Sequence, residues 1–186
     1  MKIRHLVVIP VVVLFLLGCH LPAYADPFTF STLPGSGDVA GPAGSTVGWG
    51  YSITNNSLTD WLVTTAISAG TFFNGIPSAI FDFPILAPGA TISVPFSAAG
   101  GLGLYELTWN ATAPAGFVNS GTFDLSAEWW NGDPFAGGSF LALAADETAP
   151  YTATVTARAL PVPSTLLLMV LGLAALCLRR TSGKPV

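Results

Sequence analysis

The sequence predicts an all-β domain, a sandwich of two antiparallel sheets with about seven strands, set between two apolar ends. Three observations carry that expectation. Apolar and aromatic residues recur at every second position in one segment after another, and Gly, Pro and Asn punctuate the segments in turn-forming order. Between residues 45 and 159 no stretch has a convincing helical period; Gly138 to Ala145, small and apolar, suits either a strand or one helical turn. The same interval holds no cysteine, so a disulfide framework is excluded and stability must come from a hydrophobic core.

Taken in order, Asp26 to Gly44 is rich in Gly, Pro and Ser and reads as an N-terminal segment outside the sandwich, with one edge strand at Pro27 to Thr32. Thr46 to Thr54 alternates, placing Val47, Trp49, Tyr51 and Ile53 on a core face and Gly48, Gly50 and Ser52 on the other. Asn55-Asn56-Ser57 closes that strand, and Trp61 to Ile67 begins the next. Phe72, Phe73, Phe81 and Phe83 fall in a loop-rich stretch expected to cover one end of the core. Ala87-Pro88-Gly89 carries Pro and Gly in the order of a type II turn, leading to Ile92, Val94 and Phe96 on one strand face. Leu104 to Trp109 aligns Tyr105, Leu107 and Trp109; Thr122 to Trp130 turns Phe123, Leu125, Ala127 and Trp129 inward. The last strand alternates Tyr151, Ala153, Val155 and Ala157 with threonines.

The ends are of another kind. Lys2 and Arg4, the 13-residue apolar run Leu6 to Gly18, and Ala23-Tyr24-Ala25 make a secretory signal peptide over residues 1–25, with Ala23 and Ala25 as the cleavage pair. Leu16-Leu17-Gly18-Cys19 also resembles a lipobox; cleavage after Ala25 is favoured, because a C-terminal anchor makes a lipid redundant. At the other end, residues 160–186, the 13-residue run Leu166 to Leu178 would span only about 20 Å as a helix, against a hydrocarbon core of about 30 Å. Counted back to Pro161, the stretch reaches about 27 Å, and Pro163 suits a helix's first turn. A transmembrane helix over about 163–178 is therefore expected, stopped by Arg179 and Arg180 on the cytoplasmic side, with the domain 45–159 outside the cytoplasm.

Leu160-Pro161-Val162-Pro163-Ser164-Thr165, the Leu/Gly/Ala-rich helix and the terminal arginines resemble the PEP-CTERM sorting signal of Gram-negative bacteria, also catalogued as an ice-binding protein C-terminal motif. In that family an exosortase, a membrane transpeptidase, reads the proline motif; Val162 stands where the family usually has glutamate. The resemblance implies an exported protein that meets the export machinery and an exosortase. It would be held first at the inner membrane, then delivered to the cell surface or an exopolysaccharide matrix, serving in biofilm structure or adhesion. Within the domain, Gly44-Ser45-Thr46-Val47, Ile53-Thr54-Asn55-Asn56 and Leu86-Ala87-Pro88-Gly89-Ala90-Thr91 are similar to immunoglobulin-like modules of bacterial surface proteins, including the CARDB-like group.

Charge and side-chain inventory narrow the chemistry. All 10 acidic residues lie between Asp26 and Glu147, whereas Arg158 is the one cation between residues 26 and 159, a formal charge of −9. Such a surface cannot neutralise phosphates, which disfavours nucleic acid and anionic polymers. Both histidines, His5 and His20, and both cysteines, Cys19 and Cys177, sit in the targeting ends, so triad catalysis and thiolate or imidazole zinc sites are excluded from the domain. No cofactor is expected.

Three candidate sites remain. Trp129 and Trp130 are neighbours on one strand, so their rings should face opposite ways; an outward Trp130 could stack on a sugar ring, or instead pack beneath the Asn131-Gly132-Asp133-Pro134 turn. Asp133, Asp146 and Glu147, joined by Asp60 or Asp82, could supply oxygens to Ca²⁺, although no Asp-x-Asp-x-Asp-Gly loop exists. Glu106, Asp124 and Glu128 could form a carboxylate pair for glycoside hydrolysis only if a cleft brought two of them together. Asn55-Asn56-Ser57 and Asn110-Ala111-Thr112 match the N-glycosylation pattern but read as turn and strand-end residues. The expectation is a non-enzymatic surface or matrix protein, with a glycan- or calcium-binding module as the alternative.

Overall fold

The computed structural model describes residues 28–158 together with Met169 and Leu171. The expected signal peptide with Ala23 and Ala25, the sorting motif Leu160 to Thr165, and Arg179 and Arg180 lie outside these residues, as does the expected C-terminal helix apart from Met169 and Leu171. Among the described residues, no helix is long and apolar enough to cross a membrane.

The domain is all-β and made of two sheets. Its strands are β1 (Phe28–Leu33), β2 (Asp38–Pro42), β3 (Thr46–Asn55), β4 (Trp61–Ala69), β5 (Gly75–Ala79), β6 (Ile85–Leu86), β7 (Thr91–Val94), β8 (Tyr105–Trp109), β9 (Val118–Trp130), β10 (Phe140–Leu143) and β11 (Glu147–Thr156). One sheet runs β1-β3-β8-β5, with β7 also on β3; the other runs β2-β11-β9-β4-β6, with β10 also on β9. All pairs are antiparallel except β2 with β11.

The expected count of about seven strands is too low. The four additional strands are β2, β5, β6 and β10, each at the border of its sheet. Border strands tolerate proline because one row of their backbone groups is unpaired, which is how Pro42 and Pro77 sit inside β2 and β5. Nor does the stretch from residue 28 to 42 lie outside the sandwich, where the N-terminal segment is expected. β1 pairs with β3 in one sheet, the chain turns through the cis Leu33–Pro34 peptide, and β2 pairs with β11 in the other.

The alternation read from sequence packs as physics requires. Trp49, Tyr51, Ile53, Leu107, Trp109, Phe123, Leu125, Tyr151, Ala153 and Val155 are buried between the sheets. Trp49 meets Phe123 at 5.2 Å and Tyr151 at 5.4 Å, edge to face, and donates its indole N–H to the Gly37 carbonyl at 2.7 Å. Phe72 is drawn into this cluster, stacked on Tyr151 at 4.9 Å, while its neighbour Phe73 is 62% exposed. Phe81 joins the core against Tyr51 at 4.8 Å, whereas Phe83 stays largely outside.

Phe96 departs from the expected inward row. Pro95, lacking an N–H, follows the last residue of β7, and the Phe96 ring then lies over Gly48 on the outer face of β3. A Cβ on Gly48 would stand 2.3 Å from that ring, and one on Gly50 2.3 Å from the Val94 carbonyl oxygen, so at these two positions the outer face of β3 is crowded by the chain that follows β7. Ala157 likewise falls after β11 ends at Thr156 and is exposed.

Register defines two poles. At one, Phe28 pairs with Asn55 and Trp61 with Trp130, and the Phe28 ring meets Trp129 at 6.3 Å across the two sheets. At the other, Thr156 pairs with Pro42 and Thr154 with Val118. The described chain therefore starts at the first pole and leaves β11 at the second. Twelve residue steps along β9, about 40 Å, separate Val118 from Trp130.

Candidate functional site

The site worth building is on the outer face of the second sheet, at the pole where the chain begins. Adjacent strand residues face opposite ways. Trp129 is turned inward against Phe28, so Trp130 points out. Register then supplies what sequence reasoning could not: Trp61 on β4 and Phe140 on β10 both lie directly opposite Trp130. An aromatic row, Trp61–Trp130–Phe140, crosses three strands. Phe140 stands perpendicular to Trp130, ring centroids 6.4 Å apart at 85°, and forms one wall of a corner rather than the extension of a flat plane. Both tryptophans are half-buried and Phe140 is 50% exposed.

One step along the strands lies a second row, Val63–Glu128–Leu143, with Leu143 73% exposed. The Trp130 indole N–H donates to Glu128 Oε2 at 3.1 Å, which fixes the indole and engages one of the two carboxylate oxygens. Further along β9 the same face carries Ser126, Asp124 and Thr122. The surface is thus aromatic at its end and rich in hydrogen-bond acceptors along its length.

The β9–β10 connection gives Asp133 a local task. Its Oδ1 accepts from the Phe135 N–H at 2.9 Å and caps the 3-10 turn Pro134–Ala136. Asn131 Oδ1 accepts from the Ser139 N–H at 2.7 Å and closes the loop. Trp130, at the start of this connection, is itself half-buried, with the Phe140 ring at its side.

The other candidate residues are dispersed. Asp146 is exposed just before β11, and Glu147 opens that strand opposite Leu125. Asp60 accepts from the Thr59 hydroxyl at 3.0 Å, and Asp82 accepts from the Tyr51 phenol. Among the described residues, no group of three or more His, Cys, Asp or Glu is placed to hold a metal ion. Glu106 pairs with Gly48 on the first sheet, whereas Asp124 and Glu128 belong to the second, four residues or about 13 Å apart along β9. That separation exceeds what either glycosidase geometry needs. Asn55 is fully buried, its amide donating to the carbonyls of Asp60, Leu86 and Ala87, so it is committed to holding turns together.

Two tyrosines are perturbed. Tyr51 is raised well above the ordinary phenol range by burial, by its hydrogen bond to Asp82 and by that carboxylate's charge. Tyr151 is raised by burial and, secondarily, by Tyr105. Both serve the core and neither lies on the aromatic row.

No family model matches the chain, and no curated protein sequence does. Among solved structures it is similar to the ASH / PapD-like domain of human CEP192 (PapD-like domain 7), with TM-score 0.39 and 8% identity over 87% of this chain and 99% of that one.

Proposed function

We propose that this is a non-enzymatic exported protein whose immunoglobulin-like sandwich is displayed at the cell surface or in an exopolysaccharide matrix, as a structural or adhesive element. The observation that carries the reading is the opposition of the two poles. The described chain leaves β11 beside Val118, whereas the Trp61–Trp130–Phe140 row sits about 40 Å away along β9. A tether through the apolar, arginine-stopped C-terminal segment would hold the first pole's opposite end against the membrane and leave the aromatic pole facing outward. The strand order supports the immunoglobulin-like assignment: β1-β3-β8-β5 faces β2-β11-β9-β4, as strands A-B-E-D face the sheet built on C, F and G. The sorting route is supported by the proline motif Leu160 to Thr165 and by Arg179 and Arg180, and the partners implied are the export machinery and an exosortase.

The test is cell fractionation of the full chain carrying an epitope in the exposed turn at Gly100, with protease added to intact cells or spheroplasts. The expected result is an epitope outside the cytoplasm, either membrane-bound or released. Recovery of the intact chain from the cytosol would overturn the reading.

A further inference from the structure

The geometry points to the outer face of β4, β9 and β10 as a binding site for a neutral, polyhydroxylated glycan, stacked on Trp61 and Trp130 and hydrogen-bonded through Glu128. This deepens the surface-protein reading and rests on it only for where such a polymer would be met.

Three observations select this occupant. The aromatic row offers π-faces of the kind that pack against the C–H face of a sugar ring, and the perpendicular Phe140 closes one side of that surface. Glu128 stands in the next row with one oxygen committed to the Trp130 N–H and the other available to accept. Sugar hydroxyls can donate to it. A second copy of this chain, or an anionic lipid surface, would instead desolvate the carboxylate without a cation, since the described domain has only Arg158 to offer and that residue follows β11 at the other pole. Finally, the stretch of residues 26–159, with nine more acidic than basic groups, repels uronates, sulfates and phosphates, so charge restricts the polymer to an uncharged one.

The site also explains the exposed apolar residues of β10. Phe140 and Leu143 flank the row and the carboxylate, where a polymer laid along β9 would cover them.

The experiment is affinity electrophoresis of the full chain, purified in a non-ionic, sugar-free detergent, through native gels containing hydroxyethylcellulose as a neutral polymer or alginate as an anionic one. The expected result is retardation by the neutral polymer alone. Trp130→Ala and Trp61→Ala should each weaken it roughly tenfold, the loss typical of truncating an aromatic anchor, while Trp130→Phe retains most of it. Each variant is first shown to melt like the parent chain, and Val118→Ala, at the other pole, serves as a control expected to bind normally. No retardation by hydroxyethylcellulose, retardation by alginate equal to it, or retardation unchanged in both alanine variants would overturn the site. A concentration-dependent dimer by sedimentation that Trp130→Ala abolishes, without polymer binding, would also overturn it and identify the face as a self-interface. Because binding is read on purified protein, a cytosolic chain that binds removes only the export reading, and an exported chain that does not bind removes only this site.

Discussion

Asn119 completes both hydrogen bonds of Phe73: its Oδ1 accepts from the Phe73 N–H and its Nδ2 donates to the Phe73 carbonyl, each at 2.9 Å. The side chain is 4% exposed and lies inward on β9, so it acts as a missing strand's backbone and pins the β4–β5 loop to the second sheet. That pinning places Phe72, one residue earlier, between Tyr105 and Tyr151.

Asn119→Ala should therefore cost about 2–4 kcal/mol, since two backbone groups lose their partners and Phe72 loses its anchor. Urea denaturation measures it. Asn119→Asp, which keeps the acceptor and loses the donor, should also destabilise, through the carbonyl left facing a carboxylate.

Two buried phenols should respond oppositely to removal of the hydroxyl. Tyr51 donates to Asp82, whereas the Tyr151 hydroxyl is buried with no hydrogen-bond partner among the described residues and lies 2.7 Å from where a Cβ on Gly121 would stand. Tyr151→Phe is expected to be neutral or to stabilise by up to about 1 kcal/mol; Tyr51→Phe should destabilise by about 1–2 kcal/mol. Thermal melts of the two variants side by side decide it.

Alkaline pH should unfold the domain by titrating these same groups. Each folded-state pKa lies above the unfolded value of 10.0, so below pH 10 both phenols are protonated in either state and their contribution is constant. Above it the unfolded chain releases protons that the folded chain keeps, and stability falls by about 1.4 kcal/mol per pH unit per tyrosine until the folded pKa is reached. Denaturation midpoints between pH 9 and 11.5 should decline, and the slope should flatten in Tyr51→Phe.

The outer face of β3 offers a test of backbone against side-chain crowding. A Cβ at Gly50 meets the Val94 carbonyl and the Pro95 Cα, which cannot move without breaking the β3–β7 pairing; at Gly48 it meets the Phe96 ring, which can rotate away. Gly50→Ala should cost about 2–3 kcal/mol and Gly48→Ala about 1 kcal/mol or less. Chemical denaturation of both distinguishes them.

Much of the fold is legible from residues alone. Alternation in Thr46 to Thr54 assigns Trp49 and Tyr51 to the core, and Pro88-Gly89 builds the expected turn, with Gly89 at φ 71° and the Ala90 N–H bonded to the Ala87 carbonyl at 3.0 Å. Border strands are harder to see, because their composition answers to exposure and unpaired edges rather than to a two-sided core; Pro42 in β2 and Pro77 in β5 therefore look like loop residues. Half of the candidate site is legible too. The adjacency of Trp129 and Trp130 sends one ring outward, but nothing local nominates Trp61 or Phe140 as its neighbours.

The sequence by itself determined which side of each long strand is apolar, that residues 26–159 hold a single cation and no thiol or imidazole, and that the two ends are chemically unlike the middle. Tertiary structure alone decided that Trp61, Trp130 and Phe140 share one row, that Asn119 answers Phe73, and that Glu106 stands on a different sheet from Glu128. The reason lies in what a period of two encodes. It specifies a strand's buried face from the side chains of that strand, whereas lateral neighbours and register are chosen by long-range packing, where residues far apart in the chain settle together against a shared core.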